Sequence, residues 1–124
     1  MKTELNEIII NGTVYVQKGS VENQKAESFE GMPYVIVRTY SAGVFAGYLK
    51  SKIGQEVVVL KARRLWQWSG AASLSQLAME GTNNPSACKF PCEVDKIELL
   101  QAIEILECTE KSRLSIKAVN VWKV

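Results

Sequence analysis

The sequence predicts an α+β domain: a mostly antiparallel β-sheet with two short helices, in one unit of 124 residues. Three observations lead there. Asn11-Gly12 sits between two β-branched runs, the strongest short hairpin signal, because both turn residues must accept positive φ. Between Pro33 and Trp68, short apolar runs rich in Val, Tyr and Trp alternate with turns of Ser, Ala and Gly. Two later segments each follow a Ser or Thr, and the first repeats apolar residues at helical spacing.

Residues 7–10 and 13–16 are the arms of the hairpin. Residues 18–31 are polar and aperiodic, a long loop and a candidate lid. Pro33 opens a strand that runs to Tyr40; alternation puts Tyr34, Ile36, Arg38 and Tyr40 on one face and Val35, Val37 and Thr39 on the other. Ser41-Ala42-Gly43 turns the chain into a strand over 44–49, where Gly47 marks a bulge or a close backbone approach. After a turn at 51–55, residues 56–60 read as a buried strand by their β-branched content. Residues 63–68 continue as a strand with Arg64, Trp66 and Trp68 on one face and Arg63, Leu65 and Gln67 on the other.

Ser69 or Ser73 caps a helix over about 71–80, and Gly81 ends it. Residues 81–92 form a turn-rich loop. Ile97 with Leu99 and Ile103 with Ile105 fit two strands broken near Leu100-Gln101; a helix from Asp95 would align only Ile97, Leu100 and Glu104. Thr109 caps a second helix over 110–119, and residues 121–124 finish as a strand or arm. The single domain thus divides into a hairpin (1–17), a loop (18–31) and a core (32–124).

Composition narrows the chemistry. There is no histidine, a single aspartate and no glycine-rich phosphate fingerprint, so no enzyme and no cofactor is expected. Cys88 and Cys92 resemble half of a metal site, but Cys108 is the only further thiol, so free thiols and no metal are expected. An odd cysteine count suits a reducing compartment. No apolar run approaches the ~20 residues that span a bilayer, and acids occupy the place of a signal peptide's apolar region. A cytoplasmic protein with no membrane contact follows. The net charge of +2 is divided unevenly: residues 31–79 hold six bases against Glu56 alone, and residues 80–110 hold seven acids against Lys89 and Lys96. That predicts either charge pairing between neighbouring strands or a small anion site on the basic part. Nucleic acid is disfavoured, since it calls for a strongly basic domain.

The positive feature is a set of arginines interleaved with aromatics. Arg38, Arg63 and Arg64 offer guanidinium groups to phosphates, with Arg64 favoured because strand parity points Arg63 away from the tryptophans. Tyr40, Trp66 and Trp68 offer faces on which bases stack, at about 1–3 kcal/mol each. Ser41, Ser69 and the first amides of the helix complete a candidate ligand-binding set as hydrogen-bond donors. Ordinary alternatives stand beside these: core or interface anchors for Trp66 and Trp68, a plain N-cap for Ser69 or Ser73, a solvated edge for Arg63-Arg64. Trp122 reads as a packing residue or an oligomer contact.

The stretches RTYSAGVFAGYL (38–49) and ARRLWQWSGAASLSQLA (62–78), with Cys108-Thr109-Glu110 and Val121-Trp122-Lys123, resemble a family of small phage and prophage proteins, a domain of unknown function. The resemblance covers about residues 32–124 and brings no catalytic residues. It implies a phage accessory protein acting in the host cytoplasm. One class of such proteins sequesters nucleotide immune signals without cleaving them, on a homo-oligomeric scaffold. The expectation is therefore an anti-defence protein that binds a small phosphate-containing nucleotide, a cyclic ADP-ribose isomer or a cyclic oligonucleotide. A protein-interaction module using Trp66, Trp68 and Trp122 as anchors is the alternative; a regulator of nucleic acid is a third.

Overall fold

The computed structural model describes residues 24–124, so the hairpin expected at 7–16 lies outside the described residues. Strands β1 (Tyr34–Thr39), β2 (Val44–Ile53) and β3 (Glu56–Arg64) lead into helix α1 (Leu74–Glu80) and a 3₁₀ turn (Pro85–Ala87). Strands β4 (Glu93–Leu99) and β5 (Ala102–Glu107) and helix α2 (Glu110–Ala118) follow. The sheet has the order β4-β3-β2-β1-β5 and every pairing is antiparallel. This is the α+β fold that the sequence predicts, with the two strands either side of Leu100-Gln101 in place.

The sheet's two edge strands, β4 and β5, are consecutive in sequence and joined only by residues 100–101. A two-residue link between opposite edges forces the sheet to curl. Alternation then divides the apolar residues between an inside and an outside. Val35 and Val37 of β1, Phe45 of β2, Val57, Val59 and Ala62 of β3, Leu99 of β4 and Ala102 of β5 form one cluster, made entirely of strand residues. The sheet packs on itself there, as a partly open barrel.

Its outer face carries Tyr34, Ile36, Ala46 and Tyr48, packed against Leu77 and Ala78 of α1, Ile116 of α2, and Cys88 and Phe90 from the loop before β4. Gly47 lies where β3 bulges at Lys61, whose φ of 50° is left-handed. A Cβ on Gly47 would come within 2.7 Å of Val59 Cγ1 and 2.8 Å of the Leu60 carbonyl oxygen, so the close approach read from the sequence is met.

Both helices are capped by the residues the sequence nominates. Ser73 Oγ accepts from the Gln76 N–H (3.1 Å) and Thr109 Oγ1 from the Ser112 N–H (3.1 Å). Of the two serines offered as cap for the first helix, Ser73 takes the position and α1 begins at Leu74. The loop over 18–31 departs from the lid reading in its described part. The Ala26 N–H donates to Cys108 O (3.0 Å), the Glu110 N–H to Gln24 O (2.8 Å), and the Phe29 ring packs 5.4 Å from that of Tyr48. Residues 24–29 are fastened to the body rather than poised over a site.

Candidate ligand-binding cleft

Strand β3 pairs with β2 as far as Arg64, opposite Phe45, and β2 begins only at Val44. Beyond that point β3 has no ladder to follow. Leu65 makes one more bond, from its N–H to the Val44 carbonyl (2.8 Å), and buries its side chain. Trp66 stays exposed, and Trp68 swings back against the outer core. The alternation expected over 63–68 therefore holds through Trp66 and then breaks.

The facing wall is the β1–β2 turn. Thr39 braces it twice: its hydroxyl accepts from the Ala42 N–H (2.9 Å) and donates to the Gly43 carbonyl (2.7 Å). Arg64 ties the walls together, donating from Nη1 to the Ala42 carbonyl (2.5 Å) while its guanidinium carbon lies 4.4 Å from the centre of the Phe45 ring. Nε and Nη2 of Arg64 make no hydrogen bond among the described residues. Ser41, Ala42, Gly43, Val44, Arg64, Leu65, Trp66 and Trp68 enclose a cleft of about 330 Å³, at the lower end of the size of small-molecule sites. Arg64 is its one charged lining residue. At the mouth, Trp66 stacks on Trp122, with ring centres 5.0 Å apart and planes at 9°, and Lys89 Nζ stands 5.7 Å from each ring.

Of the eight residues named from the sequence, Ser41, Arg64, Trp66 and Trp68 converge on this cleft. The other four do not. Arg38 pairs across the strands with Glu104 (2.8 Å), which realises the strand-to-strand charge pairing. Tyr40 projects into solvent beyond the end of β1 and lines no part of the cleft. Ser69 belongs to a polar knot: its carbonyl accepts from the Thr82 and Cys88 side chains, and its hydroxyl accepts from Asn84 Nδ2 (3.3 Å). Gly70, at φ 84°, completes the knot, because a Cβ there would lie 2.5 Å from the Asn84 nitrogen.

Arg63 is the sharpest correction. It is buried, and its guanidinium donates to four carbonyls: Pro91 (2.9 Å), Phe90 (3.1 Å), Ile116 (2.8 Å) and Val119 (2.7 Å). The last two belong to the C-terminal end of α2, where a cation also meets the negative end of the helix dipole. Burial pulls its guanidinium below the ordinary arginine value. Arg63 is a structural clamp.

The helix start expected to receive an anion is also spoken for. The Ala72 N–H donates to Gln76 Oε1 (2.9 Å), the Gln76 N–H to Ser73, and α1 has only seven residues. The cysteines are free: Cys92 is exposed, Cys88 and Cys108 are buried, and burial pushes the Cys108 thiol up to about 12. Among the described residues no group of three or more His, Cys, Asp or Glu side chains is placed to hold a metal ion. No helix there is long and apolar enough to cross a membrane.

Residues 32–116, more than half of the chain, match a family described as Domain of unknown function (DUF6948). The chain belongs to this family. The DUF6948 match contains every residue that lines the cleft, together with the Arg63 clamp and its Phe90, Pro91 and Ile116 partners. Trp122, the stacking partner of Trp66, lies beyond it. No curated protein matches the chain, and no solved structure matches it.

Proposed function

We propose that this protein is a non-catalytic binding protein that captures a small phosphate-containing nucleotide in the cleft between the β1–β2 turn and the end of β3. The observation that carries the reading is the convergence of Arg64, Trp66, Trp68 and Ser41 on one cleft. Unengaged guanidinium nitrogens can meet a phosphate, and the indoles supply stacking surface for a base. The lining offers a hydroxyl, a guanidinium and indoles and holds no carboxylate, thiol or imidazole, a set that favours capture over cleavage.

A single cation and no carboxylate suit a ligand of low charge density. A cyclic ADP-ribose isomer or a cyclic oligonucleotide therefore fits better than a nucleoside triphosphate. The setting that goes with this reading is a phage anti-defence protein that sequesters an immune signal in the host cytoplasm, as a homo-oligomer. The exposed Trp66–Trp122 stack also favours the second reading, an interaction module that docks a host or virion protein through those rings.

A thermal-shift panel of cyclic dinucleotides, cyclic trinucleotides, cyclic ADP-ribose isomers and ATP separates the two. A ligand at 100 times its dissociation constant adds ~2.7 kcal/mol of stability. The expected result is a large shift with a cyclic ligand, lost in Arg64→Ala and Trp66→Ala, with the ligand recovered intact after heating. No shift across the panel would sink the nucleotide reading, and a cleaved ligand would sink sequestration.

A further inference from the structure

Three of the four most exposed large apolar side chains of the described surface, with a fourth less exposed one, come together at one end of the barrel. Tyr40 (77% exposed) follows the end of β1, Ile53 (77%) ends β2 at the β2–β3 hairpin, Leu100 (65%) sits in the β4–β5 link and Ile103 (45%) is the second residue of β5. Backbone bonds draw these connections together: the Ala102 N–H donates to Gln55 O (3.0 Å) and the Tyr40 N–H to Gln101 O (2.9 Å). Leu100 is shared by two shallow clefts, one reaching Ile53 and Glu56 and the other reaching Ser41 and Gln101. Clustered exposure of this kind marks an interaction surface, whereas single exposed apolar residues are ordinary.

The charges around it indicate the occupant. Lys50 and Lys52 come from β2, Glu56 from the start of β3 and Glu98 from the end of β4; none of the four makes an ion pair among the described residues. Two bases and two acids, none of them ion-paired among the described residues, lie on the strands that carry this apolar centre and form a self-complementary set. A membrane surface or a nucleic acid would call for a net positive rim, and this rim is balanced. In a two-fold interface one patch meets its own copy, so the lysines of each subunit can face the glutamates of the other.

We infer that this end of the barrel is the interface through which two copies of the chain pair about a two-fold axis near Leu100. The inference rests on the homo-oligomer part of the proposed function and not on its ligand. Ser41 and Ala42 line both the Leu100 side and the nucleotide cleft, so the partner abuts one wall of each binding site.

Sedimentation velocity across a wide range of protein concentration tests it. The wild type sediments as a dimer, and Ile53→Glu or Leu100→Glu shifts it to monomer with an unchanged far-UV circular dichroism spectrum. Both substitutions are at exposed positions. Lys50→Glu/Lys52→Glu weakens the dimer, and adding Glu56→Lys/Glu98→Lys restores it, because both copies change together. Trp66→Ala leaves the dimer intact. A wild type that is monomeric throughout overturns the interface and the oligomer alike. An oligomer indifferent to Ile53→Glu and Leu100→Glu, or dissolved by Trp66→Ala, overturns this interface while leaving the oligomer standing. Neither outcome touches the ligand, which the thermal-shift panel decides separately.

Discussion

Arg63 and Arg64 are chemically identical neighbours with opposite fates, set by strand parity. Arg64 lies on the Phe45 side of the sheet, rests on that ring and keeps two guanidinium positions unengaged among the described residues. Arg63 lies on the outer face of the sheet, beneath Phe90 and α2, and donates to the carbonyls of residues 90, 91, 116 and 119. The parity was legible in the sequence. The carbonyls were not, since they lie 27 to 56 residues further along the chain. Arg63→Met should cost roughly 3 kcal/mol or more, because it leaves buried acceptors without donors, read as a lowered urea midpoint at constant slope. Arg64→Met should leave that midpoint nearly unmoved. The thiols divide in the same manner. Cys92 should react with a thiol reagent at once in the native protein, and Cys88 and Cys108 only after unfolding, Cys108 being both buried and held as the neutral thiol. Mass spectrometry of briefly alkylated protein gives the count and the position.

At the scale of elements, caps and turns carried most of the information. Ser73, Gly81 and Thr109 mark helix ends that the structure keeps, because each meets a local demand for a side-chain acceptor or a positive φ. The start of α1 was legible only as a choice between two serines; the knot that occupies Ser69 is built by Thr82, Asn84 and Cys88, outside the local window. Gly47→Ala should be more damaging than a usual strand substitution, since the added methyl meets the β3 backbone at the Leu60 carbonyl and Ala62 Cα as well as the buried Val59 side chain. A clear drop in melting temperature is expected, with Gly54→Ala, where a Cβ meets nothing, showing only the cost of its positive φ. The first turn of α2 gives a pH prediction. Hydrogen bonding from Arg113 holds the Glu110 carboxyl below its usual range, so the unfolded chain takes up that proton first. Its contribution is complete above the ordinary carboxylate value, near 4.3, and is lost as pH falls from there through the folded value. Glu110→Gln should therefore lower the urea midpoint at pH 7 and make the protein less sensitive to acidification between about pH 5 and 3.

For the whole molecule, the class of fold followed from local pattern, and the closure of the sheet did not. Turn chemistry at residues 41–43 and 54–55 specifies β1, β2 and β3 as a meander, whereas the pairing of β1 with β5 depends on Val35 meeting Glu107 across most of the domain. The cleft was half legible for the same reason. Its β1–β2 and β3 walls came from the stretches 38–49 and 62–78, but the stack of Trp66 on Trp122 joins residues that no short-range pattern relates. Closure of this kind has a consequence in time. The four bonds of Arg63 need the segment before β4 and the last turn of α2 to have arrived, so the clamp can shut only after the meander and its late neighbours are assembled. Contacts made after the rate-limiting step slow the reverse reaction and leave the forward one alone. Arg63 is thus a latch on escape: in stopped-flow traces Arg63→Met should unfold many times faster and refold at nearly the wild-type rate.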